Sequence, residues 1–139
     1  MKTIIISAGN ISLSAQLNDT STAQKIWKAL PLEGTANTWG DEIYFGIPLV
    51  IEQEPGARAE VEVGDLGYWP PGHAFCIFFG PTPASAGKHP RAASPVNILG
   101  RVNENDDATL LRSVQSGSIV RIDPSETKEK AQSTNDSWD

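Results

Sequence analysis

Regular alternation of apolar and polar residues near the N-terminus predicts a β-hairpin. Between residues 11 and 17 every second position is apolar, with serine or glutamine in between. This period of two is typical of a strand with one buried face. An apolar run at 3–7 precedes it, and the two are separated by Gly9 and Asn10, residue types that tolerate the positive φ of a tight turn. We therefore expect the two segments to pair.

The apolar period then changes, which predicts one short helix. Apolar residues recur at i, i+3, i+4 and i+7, namely Ala23, Ile26, Trp27 and Leu30. Such spacing places all of them on one helical face. Ser21 and Gln24 have the spacing of a capping box, and Pro31 cannot continue the helix. The expected helix therefore begins at a Ser21 cap and ends before Pro31.

Short apolar runs separated by glycine and proline predict further strands. These runs occupy residues 43–45, 49–51, 60–63, 75–79 and 96–99. Residues 107–117 have an acidic start and a glycine stop that suggest a second brief helix, followed by a strand at 119–122. Residues 81–95 are the longest irregular stretch and are expected to rim a cleft. Many short strands with one or two short helices favour a mainly β barrel or sandwich over a parallel α/β sheet.

Length and composition favour one soluble domain followed by a tail. The chain has 139 residues, of which 39% are hydrophobic and 20% charged, enough for one continuous core. Residues 1–123 carry the apolar pattern, whereas residues 124–139 are polar and are expected to form a flexible tail. A net charge of -6 supplies no basic field, so we expect no nucleic acid and no membrane as partner.

The N-terminal and cysteine patterns predict a cytoplasmic protein. The apolar run after Lys2 ends at Ser7, which is too short for a signal peptide. The single cysteine, Cys76, cannot form a disulfide within the chain, and its apolar surroundings are typical of a buried, inert thiol. The spacing of His73 and His89 matches no metal-ligand motif, and a phosphate-binding loop is absent. We therefore expect no metal and no cofactor.

Two segments punctuated by glycine and proline carry the aromatic residues that suggest a site. NTWGDEIYF contains Trp39 and Tyr44, and GDLGYWPPG contains Tyr68 and Trp69. Rings beside glycine and proline form stiff concave surfaces, which suit small molecules or proline-containing peptides. The alternative is that these side chains close one end of a barrel.

Glu42 is the candidate residue for acid–base chemistry. It lies between Trp39 and Tyr44 in the sequence, and an apolar neighbourhood raises the pKa of a carboxyl. A carboxyl with a raised pKa can act as a general acid or base. The alternative is an ordinary solvent-facing glutamate on a strand, so the catalytic residue, if there is one, stays unknown at this point.

Three longer stretches resemble a known family. NTWGDEIYFGIP, VEVGDLGYWPPGHAFCIFFGPTP and SPVNILGRV are similar to a small prokaryotic cyclophilin-like family whose biochemical role is unassigned. The resemblance covers residues 4–122 and implies a closed antiparallel β-barrel with few helices. We expect one open side of it to bind a small molecule or short peptide through five aromatic residues and two polar anchors, namely Trp39, Tyr44, Tyr68, Trp69 and Phe78 with Glu42 and Asn97.

The same stretches are distantly similar to cyclophilin-type prolyl isomerases, but one residue of those enzymes is missing. Isomerases have a Phe-His-Arg stretch shortly before an Ile-Pro, whereas here Gly46 takes the arginine position before Ile47 and Pro48. The guanidinium that weakens amide resonance is therefore absent at that place. The alternatives to ligand binding are a weak prolyl isomerase or amide-acting enzyme, and a structural domain whose exposed aromatic residues form an oligomer such as a homodimer.

Overall fold

The N-terminal hairpin forms as the alternation predicts. A computed structural model of the chain describes residues 2–125. β1 (Thr3–Ala8) pairs antiparallel with β2 (Ile11–Leu17), and Gly9 makes the turn with a φ of 59°. Alternate side chains of both strands, including Ile6 and Leu13, are buried in the core. The period of two thus gives each strand one buried face.

The predicted helix is present, but its N-cap differs from the expected one. In α1 (Ser21–Ala29) the cap is Thr20 rather than Ser21. Thr20 has an extended backbone, and its Oγ1 accepts a hydrogen bond from the backbone N–H of Ala23 at 3.2 Å. Ser21 is already helical, so it is not in the extended conformation that a cap requires. The helix packs Ala23 and Ile26 against the core.

This cap predicts different effects for two neighbouring substitutions. Thr20→Ala removes the acceptor of the Ala23 N–H and is expected to lower the free energy of unfolding by about 1 kcal/mol. Ser21→Ala, the matched control, is expected to change it by less than about 0.5 kcal/mol because Ser21 is exposed. Urea unfolding of both variants measures the difference, and equal losses would contradict Thr20 as the cap.

Eight further strands complete the described sheet, and all pairings are antiparallel. They are β3 (Leu32–Thr35), β4 (Asn37–Thr38), β5 (Glu42–Gly46), β6 (Arg58–Glu60), β7 (Asp65–Trp69), β8 (Ala74–Phe78), β9 (Arg91–Val102) and β10 (Ile119–Pro124). Their hydrogen-bonded order is β3-β10-β1-β2-β9-β7-β8-β5-β4, and β6 is attached to β9. The fold is therefore mainly β with few helices, as expected.

Some strand predictions are wrong. Residues 49–51 and 61–63 are not strands, and the apolar pattern does not predict β3, β4 or β7. Residues 49–51 form a loop that is bonded to a side chain of β7 instead of a neighbouring strand. The Tyr68 hydroxyl accepts a hydrogen bond from the backbone N–H of Ile51 at 3.1 Å. β7 escapes prediction because its sequence, DLGYW, contains a glycine and lacks clear alternation.

Two other predictions need smaller corrections. The irregular stretch expected at 81–95 ends at Arg91, where β9 starts. The second helix is a 3₁₀ helix at Ala108–Ser113, and another lies at Pro70–Gly72. β10 includes Pro124, and the predicted tail beyond Ser125 lies outside the described residues. No helix within the described part is long and apolar enough to cross a membrane.

The sheet is not closed into a barrel, contrary to the expectation. Its path of paired strands ends at β3 on one side and at β4 on the other, and within residues 2–125 these two do not pair. They are consecutive in the chain with Ala36 alone between them, so no turn reverses the chain to let them pair. Instead the backbone of Ala36 bonds to Ser118 and Gly117, at 2.8 and 2.9 Å. The segment 32–38 thus pairs with β10 through β3 and with β5 through β4.

β8 is buried on both faces, which creates a second apolar cluster beside the main core. Phe75 and Ile77 point into the main core. The alternating residues of β8 belong to a smaller cluster with parts of β9 and the segment after β6, namely Val61, Ala74, Cys76, Phe78, Ala92 and Val96. This second cluster therefore covers the face of the sheet that would otherwise meet solvent. The candidate site lies at the edge of the cluster.

Candidate binding cavity

A small cavity opens beside the second cluster, between β5, the end of β7 and the first half of β9. Its volume is about 240 Å³. It is lined by aromatic residues, small apolar residues and one carboxyl group, namely Trp39, Glu42, Tyr44, Trp69, Ala92, Ala93 and Val96. The structure thus brings together four of the residues that the sequence singles out, from two segments that are distant in the chain.

β5 supplies the carboxyl group and one ring. Glu42 and Tyr44 are two positions apart on the strand, so their side chains lie on the same face. In the ladder with β8 they stand opposite Phe78 and Cys76, both of which are buried in the second cluster. The floor beneath the carboxyl is therefore apolar.

The turn before β5 places Trp39 at the cavity. Gly40 has a φ of 62°, and a Cβ there would lie 2.8 Å from the Cα of Thr82. The turn is held by hydrogen bonds from the N–H of Trp39 to the carbonyl of Glu42 (3.0 Å) and from the N–H of Asp41 to the carbonyl of Pro81 (2.9 Å). Only glycine combines this conformation with so close an approach, so the turn fixes the backbone from which Trp39 lines the cavity.

The Pro-Pro-Gly turn after β7 fixes the second tryptophan. Pro70–Gly72 forms a 3₁₀ helix in which a Cβ on Gly72 would come within 2.6 Å of the Trp69 ring. The ring therefore packs directly on the turn, as only glycine permits. Its Nε1 donates a hydrogen bond to the Oγ of Ser94 on β9 at 2.7 Å. Trp69 is held from both sides and forms a rigid wall.

Glu42 is a buried carboxyl with a raised pKa. It is 6% exposed, and burial raises its pKa from the usual 4.5 to about 7, opposed in part by a hydrogen bond from the Cys76 thiol. Within the described residues no lysine, arginine or histidine forms an ion pair with it. Such a group changes its protonation near neutral pH, so it can both give and take a proton there.

Cys76 is not a nucleophile in this arrangement. It is fully buried, and burial together with the negative charge of Glu42 raises the pKa of its thiol well above the usual value. The reactive form of cysteine is the thiolate, which these surroundings disfavour. The thiol donates a weak hydrogen bond to the carbonyl of Ala74, with Sγ and O 3.8 Å apart.

Two of the predicted ligand contacts lie elsewhere. Tyr68 points into the main core, where its hydroxyl donates a hydrogen bond to the carbonyl of Leu49 at 2.7 Å. The reason is the alternation of β7, which sends Tyr68 and Trp69 to opposite faces of the sheet. Phe78 is fully buried in the second cluster and does not line the cavity.

Asn97 is also away from the cavity, in a buried hydrogen-bond network. Its Nδ2 donates to Thr22 Oγ1 at 3.1 Å and to the carbonyl of Glu52 at 2.9 Å. Its Oδ1 accepts from the backbone N–H of Glu54 at 2.8 Å. These bonds use its amide to join β9, α1 and the loop at 52–54, so the structure gives it a structural place rather than that of a ligand anchor.

Sequence reasoning missed the wall that β9 contributes. Ala92 and Ala93 line the cavity together with Val96. Alanines carry no recognisable chemistry, and Pro90 and Pro95 on either side of them suggest a loop rather than a strand. The one available indication was that this stretch was expected to rim a cleft.

A second, wider cleft is lined by several charged residues. The cleft measures about 830 Å³ and is lined by residues 58–62 and 86–91. Two pairs lie across it, Arg91 with Glu60 at 2.8 Å and the His89 ring with Glu62 at 3.3 Å, whereas Arg58 pairs with Asp65 outside the cleft. Within the described chain no three histidine, cysteine, aspartate or glutamate residues lie close enough to hold a metal ion.

Gly46, at the isomerase arginine position, ends β5 in an exposed place. A Cβ built on it would meet nothing within 4 Å. The two arginines that a loop could contribute are engaged in ion pairs, Arg91 with Glu60 and Arg58 with Asp65 at 3.9 Å. Neither lines the Glu42 cavity.

Comparison with known proteins agrees with the resemblance seen in the sequence. A family model described as cyclophilin-like matches residues 2–123. The chain is also similar to the hypothetical protein AF2241 from Archaeoglobus fulgidus, whose solution structure is 37% identical over 88% of this chain and 93% of that one, with a TM-score of 0.74.

A more distant structure shares the fold alone. It is McbB in complex with tryptophan, which is 16% identical with a TM-score of 0.66 and is aligned over 88% of this chain and 44% of its own. No curated protein matches the chain. Since the family match and the AF2241 similarity both extend over most of its length, the chain belongs to the cyclophilin-like family.

Proposed function

We propose that the domain binds a small, ring-containing molecule in the cavity, with Glu42 as its polar anchor. The observation that carries this proposal is the buried carboxyl at the edge of an aromatic cavity, with no cation beside it among the described residues. Burying an ionisable group without a partner costs free energy. Such a cost is typical of sites whose purpose is to bind or react.

The size of the cavity favours a small molecule over a peptide. Pockets for drug-sized ligands are commonly about 300–1,000 Å³, whereas this one is about 240 Å³. It therefore has room for one ring system with a short side chain. The rings of Trp39 and Trp69 line the cavity and offer flat faces on which such a ligand can stack.

The similarity to McbB adds limited support. That protein was solved in complex with tryptophan, a ring-containing small molecule. Because the two chains are 16% identical, the similarity concerns the fold, and the identity of the ligand does not transfer.

A second candidate function is acid–base catalysis on the bound molecule. The observation in its favour is the pKa of Glu42, which burial raises to about 7, close to the pH at which a general acid or base works best. Prolyl isomerisation is less well supported, because the part of the chain that the structure describes places no arginine in the lining of the cavity. The amide-acting alternative would need Glu42 as its proton-transfer group.

The structural alternative has weaker support. The three rings of the cavity, Trp39, Tyr44 and Trp69, are half-buried rather than exposed. The large apolar side chains that are exposed within residues 2–125 lie outside the cavity, namely Val50, Val63, Leu110 and Ile119. A subunit interface built on the aromatic residues is therefore not what this arrangement favours.

The proposal predicts that a small neutral aromatic alcohol, 2-phenylethanol, binds and quenches or shifts tryptophan fluorescence. Ala93→Phe adds a ring at the exposed rim of the cavity and is expected to weaken binding at least ~10-fold by filling it. Ala86→Phe is the matched control, because Ala86 is exposed and lines the wider cleft instead. Fluorescence titration and ligand-detected NMR measure both affinities.

Two outcomes would count against the proposal. One is that the unmodified protein shows no saturable binding of 2-phenylethanol at millimolar concentration. The other is that Ala93→Phe and Ala86→Phe bind it equally well, since the ligand would then occupy a different place.

A further inference from the structure

The two buried acids of this domain have opposite surroundings. Among the described residues the buried carboxyls are Glu42 and Asp65, at 6% and 4% exposure. Asp65 forms an ion pair with Arg101 at 2.7 Å, and Arg58 lies at 3.9 Å on its other oxygen. Glu42 has no ion pair within residues 2–125, and the neighbouring Cys76 thiol only partly opposes the effect of burial on its pKa. The fold therefore pairs one buried acid fully and leaves the other one facing the cavity.

The walls of the cavity suit a positive charge. Trp39, Tyr44 and Trp69 line the same cavity as the carboxyl, and the faces of aromatic rings attract cations within about 6 Å. Among the described residues, those that line the cavity include no lysine, arginine or histidine that would neutralise an anionic ligand. A second carboxylate beside Glu42 would meet like-charge repulsion in a poorly solvated place.

We infer that the ligand carries a protonated amine next to its ring, and that this ammonium group forms an ion pair with the Glu42 carboxylate between the aromatic walls. The inference rests on the proposed function and specifies its ligand class, an arylalkyl ammonium ion. In the complex the cation neutralises the charge of Glu42, as Arg101 neutralises that of Asp65 within the fold.

Binding of this cation is coupled to the release of one proton. In the empty cavity Glu42 is largely protonated below pH 7, because burial raises its pKa. An alkyl ammonium has a pKa of about 10 and keeps its own proton throughout pH 6–8. When the ion pair forms, the Glu42 proton therefore leaves to solvent, and the amine gains and loses none.

Few other groups face Glu42, so this proton can be assigned to it. Tyr44 on the same strand and Cys76 on β8 are the neighbouring titratable side chains. β9 contributes Ala92, Ala93 and Val96 to the cavity, none of which titrates. Asp41, in the turn that precedes β5, is paired with Arg112 at 3.0 Å. Asp65, on β7, is paired as described above.

The test uses three compounds of nearly equal size, namely 2-phenylethylamine, 2-phenylethanol and phenylacetate, which are cationic, neutral and anionic at pH 7.5. We expect the amine to bind at least ~10-fold more tightly than the alcohol and the acetate to bind more weakly than both. Glu42→Gln is expected to bring the ratio of amine to alcohol affinity close to one. Glu104→Gln, which changes an exposed glutamate in the same way, is the matched control and should keep the ratio.

Calorimetry in two buffers of different ionisation enthalpy supplies the second readout. With the amine it is expected to show release of nearly one proton at pH 6 and nearly none at pH 8. If 2-phenylethanol binds but the amine binds no more tightly, or binds without proton release at pH 6, the inference is overturned while the proposed function stands. If none of the three compounds binds, the proposed function fails as well.

Discussion

Asn97→Ala is expected to destabilise the domain by about 3–4 kcal/mol, a large loss for one side chain. The amide of Asn97 makes three hydrogen bonds in a place that is 1% exposed. Removing it leaves the carbonyl of Glu52 and the N–H of Glu54 without these partners, each at a cost of about 1 kcal/mol or more. It also removes the hydrogen bond from Asn97 to the Thr22 hydroxyl. Thr22 in turn donates its backbone N–H to the Glu54 carboxylate at 3.0 Å, so the loss weakens the whole network.

Urea unfolding measures this loss, and Asn105→Ala is a suitable control because Asn105 is exposed in a turn. The control should change the free energy of unfolding by less than about 0.5 kcal/mol. The folded fraction of Asn97→Ala is expected to bind 2-phenylethanol as the unmodified protein does, because Asn97 does not line the cavity. Reduced affinity with unchanged stability would instead support the ligand contact that the sequence suggested.

Glu42→Gln is expected to change how stability depends on pH. The pKa of Glu42 is about 7 in the folded state, against 4.5 as the usual value. Below pH 4.5 the carboxyl is protonated in both states, so the stability linked to this group is fully present. Between 4.5 and 7 the unfolded state loses the proton first and is favoured, so stability falls as pH rises and levels off above 7. The pKa difference corresponds to about 3 kcal/mol.

The measurement is the difference in free energy of unfolding between Glu42→Gln and the unmodified protein at several pH values. Since glutamine does not ionise, this difference should shift in favour of the variant by about 3 kcal/mol between pH 4.5 and 8. Glu104→Gln should show almost no such shift because its side chain is exposed. Parallel curves for the unmodified protein and Glu42→Gln would mean that the carboxyl is solvated.

Sequence reasoning succeeded where the evidence is local. The alternation of residues 11–17 is enough to define a strand with one buried face, as the structure has it. Likewise, Glu42 and Tyr44 lie two positions apart on one strand, so any β structure at that place puts them on one face. The glycine and proline beside the aromatic residues predicted a concave surface, and Trp39 and Trp69 do line a cavity, with the Trp69 ring packed on Gly72.

Other features depend on contacts that are distant in the chain. Alternation requires that adjacent Tyr68 and Trp69 point to opposite faces, but which of the two faces the core is decided by β8 and β9. Asn97 is structural because Thr22 and the 52–54 loop meet it across the fold. The sheet stays open because the chain changes its pairing partner at Ala36, where β3, paired with β10, is followed by β4, paired with β5. No local sequence pattern encodes this change.

The central claim is that Glu42 is a buried, unpaired carboxyl facing a ligand cavity, and a titration of its side-chain carboxyl carbon by ¹³C NMR tests this most directly. The absence of this resonance in Glu42→Gln assigns it. We expect its midpoint near pH 7, as burial dictates, and a lower midpoint when 2-phenylethylamine is bound. A midpoint near 4.5 in the free protein would contradict the claim, because it would show a carboxyl that is solvated or already paired.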